Sequence, residues 1–189
     1  MLNDSRFRTV QSSQVILKEL MVPSYANFGG KVHGGVLLSL MDKIAYTCAA
    51  THAKAYCVTA SVDSVDFVNP VEVGELVTLF ASVNYVGRSS MEVGIKVISE
   101  DFRQEIVKHT NTSYFTMVAV DEETRKPTAV PGLILQTDQE VRRFVMGKLR
   151  KQLRAGHRRD LAELRKTLDQ ARNLLELEGE HCQLDTHLR

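Results

Sequence analysis

Asn27-Phe28-Gly29-Gly30-Lys31-Val32-His33-Gly34-Gly35-Val36-Leu37-Leu38-Ser39-Leu40-Met41-Asp42 is a glycine-rich loop that passes without interruption into an apolar helix pattern. It holds four of the eleven glycines of the 189-residue chain, and its one acidic residue is Asp42. Paired glycines let backbone approach a ligand closely, and a helix starting behind them aims unpaired N–H groups and positive dipole at it. The pattern continues through Ile44, Ala45, Cys48, Ala49 and Ala50, apolar on nearly every face, which predicts a buried helix over residues 35–52. Asp42 lies two turns beyond Gly35, on the same face and about 10 Å along the axis. The Gly35 N–H is thus a candidate donor to a carbonyl oxygen, as in an oxyanion hole. Asp42, desolvated on an apolar helix unless it borders a cleft, is a candidate base. The plainer alternative pairs Asp42 with Lys43 or a neighbouring strand.

Outward from this segment, alternation with period two dominates to about residue 120. Val77, Leu79, Ala81, Val83 and Tyr85 share one face of a strand, and Met91, Val93, Ile95 and Val97 share one face of the next. Val86-Gly87-Arg88-Ser89-Ser90 connects them tightly. Further strands are expected over residues 106–120, over 56–67, ended by Asn69-Pro70, and over 13–20. One helix among long strands predicts an α+β fold, an antiparallel sheet curled around a central helix. The other sheet face carries Phe80, Ile98 and Val118, which predicts cover by a partner subunit.

Residues 1–134 therefore read as the main domain and 135–189 as a charged helical extension. The extension holds half of the 24 lysines and arginines. Val141, Val145, Leu149 and Leu153 recur every fourth residue, Gly156 interrupts, and Asp160-Leu161-Ala162-Glu163 looks like a new helix start. Leu161, Leu164, Leu168, Ala171 and Leu175 then give nearly two heptads, which predicts a helical hairpin or a short coiled coil. Residues 141–159 contain eight basic residues and no acid, whereas residues 160–180 contain six acids and three bases. The basic residues are spread around the helix, which argues against a nucleic-acid recognition face.

Formal net charge is +1, and the three cysteines include no Cys-x-x-Cys pair and no zinc spacing. No apolar run is long enough for a membrane helix, and the first residues lack a signal-peptide core. These features predict a cytoplasmic protein with no metal and no membrane partner. The paired glycines match neither the P-loop nor the dinucleotide fingerprint. Asp63 and Asp66, three apart on a strand, face opposite sides and read as structural.

Asn27, His33, the pair Gly34-Gly35 and Met41-Asp42 together resemble the signature of the acyl-CoA hydrolase branch of the hotdog-fold thioesterases. Val62-Asp63-Ser64-Val65-Asp66-Phe67, Asn69-Pro70 and Val73-Gly74-Glu75 resemble that family's second-strand region. Residues 86–90 resemble its coenzyme A loop. The resemblance covers about residues 10–130 and implies hydrolysis of acyl-CoA to free coenzyme A and a carboxylic acid. It further implies that Asp42 activates water or attacks directly, that Asn27 of the opposite subunit orients water or substrate, and that the Gly35 N–H polarises the thioester carbonyl. Gly87, Arg88, Ser89 and Ser90 would hold coenzyme A, Arg88 through a bidentate fork to phosphate. His33 is a further candidate at the catalytic site, either hydrogen-bonding the substrate or, as it is ranked, fixing the loop. A homo-oligomer with shared active sites, a dimer assembled into a trimer of dimers, is implied, and coenzyme A enters as part of the substrate rather than as a cofactor. Two rivals are a hotdog hydroxyacyl-thioester dehydratase using His33 and Asp42, and a non-catalytic acyl-CoA sensor using the basic tail.

Overall fold

The computed structural model describes residues 6–167, 177 and 180–183. Its strands and helices are β1 (Phe7–Thr9), β2 (Val15–Leu20), α1 (Gly34–Ala53), β3 (Cys57–Val62), β4 (Leu76–Val86), β5 (Ser90–Asp101), β6 (Ile106–Ala119), β7 (Gly132–Ile134) and α2 (Asp138–Thr167). β2, β4, β5, β6 and β3 form one antiparallel sheet in that spatial order. This is the hotdog arrangement, with α1 against one face of a curled sheet. The short parallel pair β1–β7, with too few residues to show alternation, was not expected from sequence.

The core forms where one face of α1 meets the period-two apolar rows of the sheet. Leu37, Leu40, Met41, Ile44, Ala45, Cys48 and Ala49 pack with Val77, Leu79 and Val83 of β4, Val93, Ile95 and Val97 of β5, and Phe115 and Met117 of β6. Register shifts between Thr59 and Ser61, Val83 and Tyr85, and Val97 and Ile98 bend the strands as bulges do. The β3 ladder stops at Val62, short of the expected residue 67, but the chain stays beside β6 through Asp63 N–H to Tyr114 O (3.0 Å) and Val68 N–H to Thr110 O (3.0 Å). β3 is an edge strand, with only β6 beside it among the described residues.

The expectation that α1 is buried all round is corrected. Gly35, Leu38, Ser39, Asp42, Lys43 and Tyr46 lie on an exposed face of the helix. One sheet covers one side only, so a five-turn apolar helix retains an open side in a single chain.

The expected break at Gly156 and new start at Asp160 are also corrected, since α2 runs unbroken from Asp138 to Thr167. A mid-helix glycine costs only about 1 kcal/mol relative to alanine, less than the surrounding helix formers supply. Leu168, Ala171 and Leu175 of the expected heptads lie outside the described residues. The compact unit that contains the sheet extends to Gly147, and a second unit begins at Lys148. Within the first unit α2 comes close to the outer sheet face at Gly147, where a Cβ would lie 2.6 Å from Tyr85 Cβ and 2.8 Å from Glu92 Oε1. Phe144 packs on Tyr85 with ring centroids 5.0 Å apart.

Candidate active site

The loop that carries Asn27 is held from below. Asn27 N–H donates to Lys31 O at 2.6 Å, and the Asn27 Oδ1 accepts from Gly29 N–H (2.8 Å) and Lys31 N–H (3.2 Å). Such an Asx-type turn suits asparagine, and Gly30 supplies the positive φ of 78° that the loop needs. Lys31 forms an ion pair with Glu72, and Val32 N–H donates to Val71 O (2.9 Å), fixing the loop to the segment before β4. Asn27 is exposed, with its carboxamide oxygen committed to its own loop.

His33 caps α1. Its Nδ1 accepts the Gly35 N–H at 2.8 Å, while His33 N–H donates to Tyr25 O at 2.8 Å. The donor assigned to a thioester carbonyl therefore faces an imidazole nitrogen. A Cβ on residue 35 would sit 2.8 Å from His33 Nδ1, so glycine lets the ring reach the helix end.

Asp42 is exposed on the open face of α1, and its Oδ1 accepts a 2.6 Å hydrogen bond from Thr59 Oγ1 on β3. The expectation of a desolvated carboxylate does not hold for the single chain, because the sheet covers only the other side of the helix. Thr59 is the residue that sequence reading missed. A threonine in an edge strand is unremarkable until the fold brings it across from residue 42. Its hydroxyl orients one carboxylate oxygen toward β3 and leaves the other for a second partner.

No hydrogen bond joins Asn27, Gly35 and Asp42 to one another among the described residues. Gly35 and Asp42 share the exposed face with Leu38, Ser39 and Tyr46 between and beyond them. The β4–β5 turn is closed by Gly87 N–H to Ser90 O (2.7 Å), and Ser89 O accepts from Ala119 N–H (2.9 Å), which leaves the Arg88 side chain exposed at the tip. Burial pushes the Cys48 thiol up to about 12 and the Cys57 thiol up to about 11, so neither offers a thiolate near neutrality. Among the described residues no cluster of metal-binding side chains occurs, and no helix is long and apolar enough to cross a membrane.

The family model of the Thioesterase superfamily matches residues 29–106, which include the whole of α1 and the β4–β5 turn. Protein VdlD of Helicobacter pylori is 46% identical over 151 residues, covering 80% of this chain and 86% of VdlD. A solved hexameric acyl-CoA thioesterase shares 38% identity at a TM-score of 0.77, over 80% of this chain and 97% of that one. The acyl-CoA hydrolase of Staphylococcus aureus, solved with butyryl coenzyme A, coenzyme A and coenzyme A disulfide, shares 32% identity at a TM-score of 0.76, over 85% of this chain and 97% of that one. This chain belongs to the acyl-CoA thioesterases of the hotdog fold. The Staphylococcus thioesterase has also been solved with a threonine, an asparagine or an aspartate replaced by alanine, the asparagine variant in complex with coenzyme A. In the chain described here Thr59 and Asp42 are hydrogen-bonded to each other.

Proposed function

We propose that this protein hydrolyses acyl-CoA thioesters at sites made between two copies of the chain. The observation that carries this reading is the Asp42–Thr59 pair on an open helix face, two turns from the glycine-flanked N-terminus of α1. In one chain the face is uncovered; a second copy laid on it would enclose the carboxylate and bring its own Asn27 to the other side of the thioester. Asp42 takes a proton from water, the resulting hydroxide attacks the carbonyl carbon, and the C–S bond breaks with release of coenzyme A thiolate. Direct attack by Asp42 gives instead a mixed anhydride that water opens, and incorporation of labelled oxygen into the enzyme separates the two routes.

Gly35 N–H stabilises the oxyanion once its bond to His33 Nδ1 is exchanged for one to the substrate, a donor worth about 3 kcal/mol in such a position. A thiolate leaves readily, so no strong general acid is needed. Arg88 at the β4–β5 tip, with Gly87, Ser89 and Ser90, takes the phosphate end of coenzyme A. Hexameric assembly as a trimer of dimers and a cytoplasmic location belong to the same proposal, with coenzyme A present only as part of the substrate.

The dehydratase rival needs His33 and Asp42 at adjacent carbons, yet in one chain the His33 ring is turned onto Gly35. Thiol release measured over a ladder of acyl-CoA chain lengths tests the proposal. Release of free thiol with at least one acyl-CoA is expected; no release with any would overturn it.

A further inference from the structure

The turn that begins at Asn27 carries a phenyl ring that packs on nothing among the described residues. Asn27 C=O accepts the Gly30 N–H at 3.0 Å, which closes a four-residue turn with Phe28 in its second position. Phe28 is 114% exposed, the most of any large apolar side chain among the described residues. The tip stands clear of the rest of its chain: a Cβ on Gly30 would meet nothing within 4 Å, and one on Gly29 would meet only Asn27 Oδ1, at 3.3 Å. The loop is also tied against folding inward. Two N–H groups donate to Asn27 Oδ1, the Asn27 N–H donates to Lys31 O, and the Val32 N–H donates to Val71 O. A phenyl ring held in water on a tied loop is unfavourable until something covers it, and the cover comes from another molecule.

We propose that Phe28 of one copy packs on the acyl chain of a substrate bound at Asp42 of the other, and so sets the acyl-chain preference. On the reading of a thioester site shared by two copies, on which this proposal rests, Asn27 reaches the site from the second chain. Phe28 is the next residue, about 3.8 Å along the backbone, so a loop that delivers Asn27 delivers the ring to the same seam. The surface awaiting it suits hydrocarbon. Leu38 and Tyr46 lie one turn before and one turn after Asp42 and are 39% and 41% exposed, so apolar side chains flank the carboxylate along the open face of α1. An acyl tail beside Asp42 is held between this floor and the ring, while the Asn27 carboxamide stays at the polar carbonyl end. The preferred substrates are acyl groups whose apolar tail reaches the ring, over acetyl and over acyl groups that end in a charge.

The chain contains no tryptophan, so Phe28→Trp places a single indole at the tip. In the full-length protein S-hexyl-coenzyme A, a thioether that cannot be hydrolysed, is expected to shift the indole emission to the blue, and coenzyme A alone is not. Kinetics give a second readout. Phe28→Ala is expected to lower the ratio of kcat/KM for hexanoyl-CoA to that for acetyl-CoA about tenfold, and Phe28→Leu to restore most of it. An equal loss on both substrates would assign Phe28 to assembly and overturn the proposal, as would an unchanged ratio or the same emission shift with coenzyme A alone. A blue shift with phosphatidylcholine vesicles and none with S-hexyl-coenzyme A would make the tip a lipid contact and overturn it equally. Thiol release by the parent with neither readout moving removes Phe28 alone and leaves the shared-site reading standing. No thiol release from any acyl-CoA removes the hydrolytic reading; an emission shift with S-hexyl-coenzyme A then still supports the ring contact, and its absence removes both.

Discussion

At the scale of single residues, the proposed chemistry rests on the hydrogen bond between Asp42 and Thr59. The carboxylate is held by a hydroxyl that approaches from an edge strand, and the bond fixes which oxygen faces outward. Asp42→Ala is expected to abolish thiol release while leaving the fold intact, since the side chain is exposed and holds no core contact; near-native turnover by that variant would remove it from the mechanism. Thr59→Val keeps the shape and removes the donor. It is expected to lower kcat about tenfold with a smaller change in KM, because orientation matters most when the proton moves. An unchanged kcat would make the hydrogen bond incidental. The aspartate and the glycine pair were legible in sequence because glycines before an apolar helix are a local pattern. Thr59 was not, because its role depends on a contact across seventeen residues.

At the scale of elements, the C-terminal end of α1 is fastened to Pro131, the residue before β7, by a buried histidine. His52 is fully buried, its Nε2 lies 2.9 Å from Pro131 O, and its Nδ1 has no partner among the described residues. The neutral tautomer with a proton on Nε2 satisfies the carbonyl, and a second proton would place an unpaired N–H in the core. Burial, opposed by the Pro131 carbonyl and assisted by Arg8, holds the imidazole below its ordinary 6.5. Below that value the unfolded chain takes up a proton that the folded chain refuses, so stability falls as pH drops below about 6.5. His52→Asn is expected to be less stable at neutral pH but to lose less on acidification, as read from thermal midpoints between pH 5 and pH 7. Equal slopes for the two proteins would exclude His52 as the source. Gly147 is the corresponding point on α2. Gly147→Leu is expected to cost about 1–3 kcal/mol in denaturant unfolding, since the new side chain meets the Tyr85 Cβ and the Glu92 carboxylate at overlapping distance. Unchanged stability would show that α2 lifts freely from the sheet. Strand periodicity made β4, β5 and β6 readable almost to their ends. The three-residue β1 and β7 carry too little pattern, and the glycine at 156 was overread because propensity is a weak guide inside a long helix.

At the scale of the whole molecule, the exposed strip of α1 and the open edge of β3 are the surfaces on which the proposed two-copy site rests. Asn27 stabilises its own loop, and Asp42 faces outward two turns along α1. Asn27→Ala and Asp42→Ala proteins, each inactive, are expected to recover activity when refolded together, approaching a quarter to a half of wild-type turnover as mixed dimers carry one intact pair. No recovery would place both residues in a site made by one chain.

Local chemistry was enough to read the helix start, the alternating strands, the lone acid and the family they resemble, because each is written in neighbouring residues. What only the tertiary structure decided was which side of α1 is covered, that His33 occupies the Gly35 N–H, that Thr59 meets Asp42, and that α2 continues through Gly156. The first three depend on how distant segments pack, and the last on a sum of helix propensities against one glycine. Neither a packing direction nor such a balance is carried by any single stretch of sequence.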